Sequence, residues 1–179
     1  MRPSLTEELC TRCGLCCDGS LFADVELAGR EATAMEILGL DVESDDADGT
    51  VMSQPCLALK GKRCSIYEHR PQCCRTFECG LLQNVRRGAE SVQGAGERIA
   101  ETQTNIAKVN ELVAQLGLPD RRLPLVERVA EALASECESG PRGRTRAELR
   151  VAMSALQRSI RETFLNGGRG PRWGRNGRG

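Results

Sequence analysis

Ten cysteines and one histidine occur in a chain of 179 residues. Nine of the cysteines lie between Cys10 and Cys79, and only Cys137 lies outside. They form two groups. The first is Cys10-x-x-Cys13-x-x-Cys16-Cys17, and the second is Cys56, Cys64, the pair Cys73-Cys74, and Cys79. Thiolates are soft ligands for zinc and for iron–sulfur clusters, and sulfur-only ligation suits both. Zinc sites with two histidines would need more than the one present. The first residues carry no apolar leader, so the cytoplasm is the expected compartment. Thiols stay reduced there, and the cysteines read as metal ligands before they read as disulfides.

Two residues between thiols let a chain turn around one metal with both sulfurs on the same side. A second such step brings a third sulfur within reach. The run resembles the opening of a bacterial ferredoxin, but the following Cys-Pro of that run is absent. A further ligand must come from elsewhere in the chain. Cys16 and Cys17 are adjacent, and neighbouring side chains of an extended segment point to opposite faces. They are therefore expected to serve two different metals, or else one of them is spare.

The second group carries more than thiols. Pro55-Cys56-x-x-Leu59 is followed by Cys64-x-Ile66-Tyr67-x-x-Arg70-Pro71 and then by Cys74-Arg75-x-Phe77-x-Cys79. Together with the first run, this order resembles the YkgJ-type cysteine-cluster family, described as a zinc- or iron-chelating domain. The resemblance covers about residues 10–80. It implies Cys10, Cys13, Cys16, Cys17, Cys56, Cys64, Cys74 and Cys79 as metal ligands, with zinc, iron or an iron–sulfur cluster as cofactor. Eight thiolates suffice for two four-thiolate sites. Cys73 and Cys137 are left as bystanders. Tyr67, Arg70 and Arg75 are expected just outside the ligands. A guanidinium there offsets the −2 charge of a zinc held by four thiolates, and Tyr67 supplies a hydrogen-bond donor. Arg70-Pro71 can equally be a rigid turn. His69 reads as a surface residue. An iron–sulfur oxidoreductase or electron-transfer component is the alternative reading. So is an accessory to a protein-modifying enzyme, because the flagellin lysine methylase family carries a similar cluster.

The elements that must position these residues are mostly helical. Leu, Ile, Val and Phe make up about a fifth of the chain, close to the lower limit for a folded domain. Metal–thiolate bonds are expected to replace part of a core. The expected fold is therefore mostly α, with a loop-rich, metal-stabilised cysteine region and little or no β content. Residues 5–87 are expected to form the chelating domain, 88–166 a helical extension, and 167–179 a disordered Gly/Arg-rich tail. Leu21–Leu27 alternates like a short half-buried strand with Phe22 outward. Gly29 to Leu38 reads as a helix with Ala32, Met35, Ile37 and Leu38 as its apolar residues and Gly39 as its stop. Asp41 to Gly49 reads as a solvated acidic loop, and Lys60-Gly61-Lys62 as a turn. Ile99, Thr102, Ile106, Val109, Val113 and Leu116 mark one helix face that stops at Gly117. A second helix starts near Leu125, with Val126, Val129, Ala130 and Leu133 on one side. A third is expected from Thr145, whose spacing to Glu148 fits a capping box, with its stripe running to Phe164.

Charge is split within a net of zero: residues 1–60 carry −8 and residues 61–179 carry +8. No base-reading helix is evident, and nucleic acid is not an expected partner. No window is apolar enough to span a membrane. Radical-SAM spacing, a dinucleotide loop, a Walker loop and H-E-x-x-H are all missing from the sequence. Metal ions are the expected partners.

Overall fold

The computed structural model describes residues 4–45, 49–118, 122–134 and 140–165. Among them lie seven α-helices and five short strands. The mostly α expectation holds, and the β content is small but present.

Helix α1 (Leu5–Cys13) starts with a reciprocal cap. Ser4 Oγ accepts from Glu7 N at 3.2 Å, and Glu7 Oε2 accepts from Ser4 N at 2.8 Å. The helix stops at Gly14, whose φ of 72° lies in the left-handed region that glycine enters without a Cβ clash. Cys10 and Cys13 therefore occupy the last turn of a helix, three residues apart on one face, rather than a loop wrapped around a metal. The chain then turns tightly: Cys17 N and Asp18 N both donate to Gly14 O, at 2.9 and 3.1 Å. So Cys16 and Cys17 sit in a turn, not in the extended segment that their adjacency suggested.

The expected strand over Leu21–Leu27 shrinks to β1 (Asp24–Glu26). Phe22 is not outward. It is buried and packs edge-on against Phe77, with ring centroids 5.2 Å apart. Ring burial outweighs strict alternation here, because Phe22 lies before the strand begins at Asp24. Helix α2 (Gly29–Ile37) ends before Gly39 as expected, but only Met35 faces the core and Ile37 is 80% exposed. The described part of the expected acidic loop is largely strand, and residues 46–48 lie outside the described residues. β2 (Val42–Asp45) and β3 (Gly49–Ser53) pair antiparallel, with β1 on the other side of β3. Acidic side chains tolerate a solvated edge strand, so Glu43 and its neighbours did not prevent pairing. Ser53 Oγ donates to Glu43 Oε1 across the ladder at 2.9 Å. β4 (Leu59–Lys60) and β5 (Arg63–Cys64) form the hairpin expected at Lys60-Gly61-Lys62, with Gly61 at φ 63°.

A 3-10 turn at Tyr67–His69 leads into α3 (Gln72–Thr76), followed by α4 (Gly80–Arg86). Helix α5 (Val92–Gln115) buries Ile99, Thr102, Ile106, Val109 and Val113 on the expected face. Helix α6 (Leu125–Ala134) buries Val129 with Val126 and Leu133 packed beside the core, as expected, but it also buries Leu125, Arg128 and Ala132 and leaves Ala130 exposed. Arg128 can face inward because its guanidinium is satisfied there, with Nη1 donating to Asn110 Oδ1 at 2.7 Å and Nε to Leu123 O at 3.0 Å. Helix α7 (Gly140–Ile160) begins five residues before Thr145. Thr145 is an interior residue whose hydroxyl donates back to Pro141 O at 3.2 Å, so the capping-box spacing is coincidental. Its stripe of Leu149, Met153, Leu156 and Ile160 is buried as expected, and a π-helical turn (Arg161–Leu165) buries Phe164. Cys137 and the Gly/Arg tail lie outside the described residues.

Two hydrophobic cores result. The large one joins Leu9, Leu15, Leu21 and Phe22 to α4, α5, α6 and α7, drawing residues from both sides of residue 87. The small one holds Val25, Leu27, Met35, Leu40, Met52, Cys56 and Ala58. Gly19 marks a junction between them. Its φ is 77°, and a Cβ there would meet Pro124 and Pro55 at 3.2 Å. Its carbonyl accepts from Leu125 N at 2.9 Å, which ties the start of α6 to the cysteine turn. No described helix is long and apolar enough to cross a membrane.

Candidate metal centre

All nine described cysteines are unpaired, and all nine line one cavity of about 470 Å³. Helix α1 places Cys10 and Cys13, the following turn places Cys16 and Cys17, and Cys79 caps α4 with its sulfur accepting from Leu82 N at 3.5 Å. Cys56 follows β3, and its N–H donates to Cys17 O at 2.8 Å. Cys64 ends β5, opposite Leu59. Cys73 and Cys74 lie on α3.

The cysteines divide by neighbourhood. Cys13, Cys16 and Cys79 pack against the large core, while Cys17, Cys64, Cys73 and Cys74 pack against the small core, where Cys56 is buried. Mutual electrostatics gives the same division. Burial raises the Cys16 thiol most, and the negative charges that reinforce it are led by Cys13 and Cys79. Cys10 and Cys13 both feel Cys79. For Cys17, after burial, the leading charges are those of Cys56 and Cys64. Cys74 feels Cys17 and Cys56. Cys10, Cys13, Cys16 and Cys79 thus lie towards the large core, and Cys17, Cys56, Cys64, Cys73 and Cys74 towards the small one, although Cys16 also feels Cys17 and Cys17 also feels Cys10. The Cys16–Cys17 peptide bond joins them. Cys16 and Cys17 face different cores, and a turn rather than strand alternation separates their side chains.

Cys73 and Cys74 approach to 3.9 Å. Sharing one proton eases ionisation at Cys73 and suppresses it at Cys74. Cys73 also feels Glu31, whose Oε1 accepts from Gln72 N at 2.9 Å, so it borders α2 as well as its neighbour.

Among the described residues, no three Cys, His, Asp or Glu side chains converge tightly enough to enclose one ion. The thiols surround a space instead. The donor set fits thiolate chelation all the same. Nine sulfurs line the cavity, all but that of Cys10 on residues at least partly removed from water, and cations lie close by. Arg70 and Arg86 both ease ionisation of Cys10. Arg70 stacks over the Tyr67 ring at 3.5 Å and donates from Nε to Tyr67 O at 2.8 Å. It is therefore both the turn-former and the nearby cation, which were expected as alternatives. Tyr67 contributes its ring face and its carbonyl here, where a hydroxyl donor had been expected. Arg75 is exposed on α3 and borders the cavity, and His69 is exposed.

Three residues take part that spacing did not point to. Arg86 pairs with Glu78 at 2.7 Å and donates to Thr6 Oγ1 at 3.1 Å, fixing α4 against α1. Gln103 of α5 donates from Nε2 to Cys13 O at 2.8 Å and to Arg12 O at 3.1 Å, and accepts from Lys62 Nζ at 2.8 Å. The helical half thereby holds the backbone of the first Cys-x-x-Cys. Gln54 also lines the cavity. Arg86 and Gln103 act across 80 and 90 residues of chain, and no local pattern signals such a contact.

Burial pushes the Cys10 and Cys13 thiols from the ordinary 9.0 up to about 11 and about 12. The folded chain holds these protons more tightly than the unfolded chain does. Metal-free α1, which packs on the large core, is therefore fully stable below pH 9 and loses stability as pH climbs through 11 and 12. A cation bound to the thiolates removes that penalty. Circular dichroism against pH is expected to show an alkaline transition in the metal-free chain that is weakened or absent in the loaded one.

A family model named CxxCxxCC, described as "Putative zinc- or iron-chelating domain", matches residues 9–107. No curated protein and no solved structure matches the chain.

Proposed function

The chain belongs to the CxxCxxCC family of zinc- or iron-chelating domains, and from that premise we propose that it chelates metal in two four-thiolate centres. Cys10, Cys13, Cys16 and Cys79 hold the first. Cys17, Cys56, Cys64 and Cys74 hold the second. One observation carries this reading: nine thiols line a single cavity, and with Cys73 left as the bystander the other eight fall four to the large core and four to the small core on either side of the Cys16–Cys17 bond. Arg70, Arg75 and Arg86 supply positive charge for centres that carry net negative charge when four thiolates surround a divalent ion. Sulfur-only sites of this kind stay reduced in the cytoplasm, where we place the protein.

A second reading has its own support. Zn–S bonds of about 2.3 Å draw four sulfurs to within roughly 4 Å of one another. The described thiols instead ring a cavity of about 470 Å³ without converging on one point. Sulfur-only ligation suits iron–sulfur clusters as well as zinc, and a cavity of this volume has room for sulfide and iron, which would bring a role in electron transfer.

The test is metal and sulfide analysis of the protein purified without oxygen. About two zinc ions per chain and no colour indicate single-ion centres. Iron with equimolar acid-labile sulfide and a broad absorption band near 400 nm indicates clusters. A chain that takes up neither metal rejects chelation.

A further inference from the structure

Gln54 is the one described side chain with a fully buried polar atom that lacks a partner. It is 3% exposed, and its Oε1 accepts no hydrogen bond. A buried carboxamide with an unmatched acceptor carries the desolvation penalty of that group with nothing to offset it. An apolar side chain of similar volume would avoid the penalty, so the amide calls for a partner that the metal-free chain does not provide.

The surroundings say where that partner belongs. Gln54 lines the cysteine cavity and lies two residues before Cys56. Its backbone is fixed, because Gln54 N donates to Ala23 O at 3.0 Å, and Cys56 N donates to Cys17 O at 2.8 Å. The amide is thus held at the wall beside the second foursome. A half-turn about its terminal bond exchanges Oε1 and Nε2, replacing the unmatched acceptor with two N–H donors. Metal-bound thiolates are anionic acceptors, and hydrogen bonds to charged groups are the stronger ones.

We propose that Gln54 is a positioning residue for the metal centre, its side-chain amide donating to a thiolate sulfur of the Cys17, Cys56, Cys64 and Cys74 foursome once metal is bound. The inference rests on the chelation reading above and assigns it a non-cysteine component. A donor at a thiolate withdraws charge from sulfur, steadies the ligand's direction and raises the energy of sulfur-to-metal charge transfer.

The test is to load the full-length chain anaerobically with Co²⁺ as a spectroscopic probe and to measure Zn²⁺ affinity against a chromophoric chelator. Gln54→Leu keeps the bulk and deletes the donor. Its charge-transfer band is expected at longer wavelength than in the wild type, with Zn²⁺ affinity about 10-fold weaker, the lower end for loss of a group that orients a ligand. Gln54→Glu, nearly the same shape but without the donor when ionised, is expected to weaken Zn²⁺ binding further. If both variants match the wild type in band position and affinity, the role of Gln54 is overturned. A lower melting temperature with an unmoved band shows lost packing only and overturns it equally. A wild-type chain that binds neither Co²⁺ nor Zn²⁺ overturns the chelation reading itself, and this inference with it.

Discussion

Replacing Cys16 with serine is expected to remove about half of the bound metal, and replacing Cys17 is expected to remove the other half. The two residues share a peptide bond, so a simple steric or folding explanation would make them equivalent. Their surroundings are not equivalent. Cys16 packs against the large core beside Cys13 and Cys79, while Cys17 packs against the small core and accepts from Cys56 N through its own carbonyl. A thiolate–metal centre contributes on the order of 10–16 kcal/mol of apparent binding energy. Divided over four ligands, one sulfur is worth about 3 kcal/mol, more than 100-fold in affinity. That loss is large enough to empty a centre during purification.

Pairs of substitutions sharpen the assignment by double-mutant logic. Cys16→Ser with Cys79→Ser should leave as much metal as Cys16→Ser alone, because both disable the first centre. Cys17→Ser with Cys56→Ser should behave likewise for the second. Cys16→Ser with Cys56→Ser should leave none. Metal content per chain, measured by elemental analysis, decides among these outcomes. A single shared cluster would be emptied by any one substitution, and the two-centre assignment would then be wrong.

The candidate ligands were legible in the sequence because soft thiolate ligation calls for Cys and the chain has ten of them against one His. Their grouping was legible only in outline. Adjacency separated Cys16 from Cys17, but the assignment of Cys79 to the first foursome depends on α4 returning to α1, a contact that Arg86 and Thr6 fix across 80 residues. Helix α5 was readable because its stripe runs for about five turns without interruption. Helix α6 was harder to phase, since only 10 residues constrain it and one of its inward positions is Arg128, which is satisfied by Asn110. The β2–β3 hairpin was masked by its own acidic residues, because an edge strand selects for charge rather than for apolar alternation. Gln54 carried no signal at all, since burial of an amide depends on what packs around it.

The two cores differ in what metal removal should do to them. The small core holds five long aliphatic side chains, Val25, Leu27, Met35, Leu40 and Met52. At about 1.5–3 kcal/mol each, they contribute no more than one thiolate centre does, and they must order three short strands, α2 and the β4–β5 hairpin. The large core has 20 buried residues and spans α5, α6 and α7, of 24, 10 and 21 residues. It needs no metal to close. Chelation of the loaded protein is therefore expected to open the region around β1 to α3 while the long helices persist. Far-ultraviolet circular dichroism should keep most of its helical signal. Limited proteolysis should cut between about residues 24 and 78 and leave a protected fragment containing α5. Cys56→Ser should mimic chelation in this region. Cys79→Ser should spare it, because Cys79 sits in the foursome beside the large core. Loss of the whole helical signal on chelation would show one cooperative unit held by metal throughout. An unchanged digestion pattern would show that the small core stands without it.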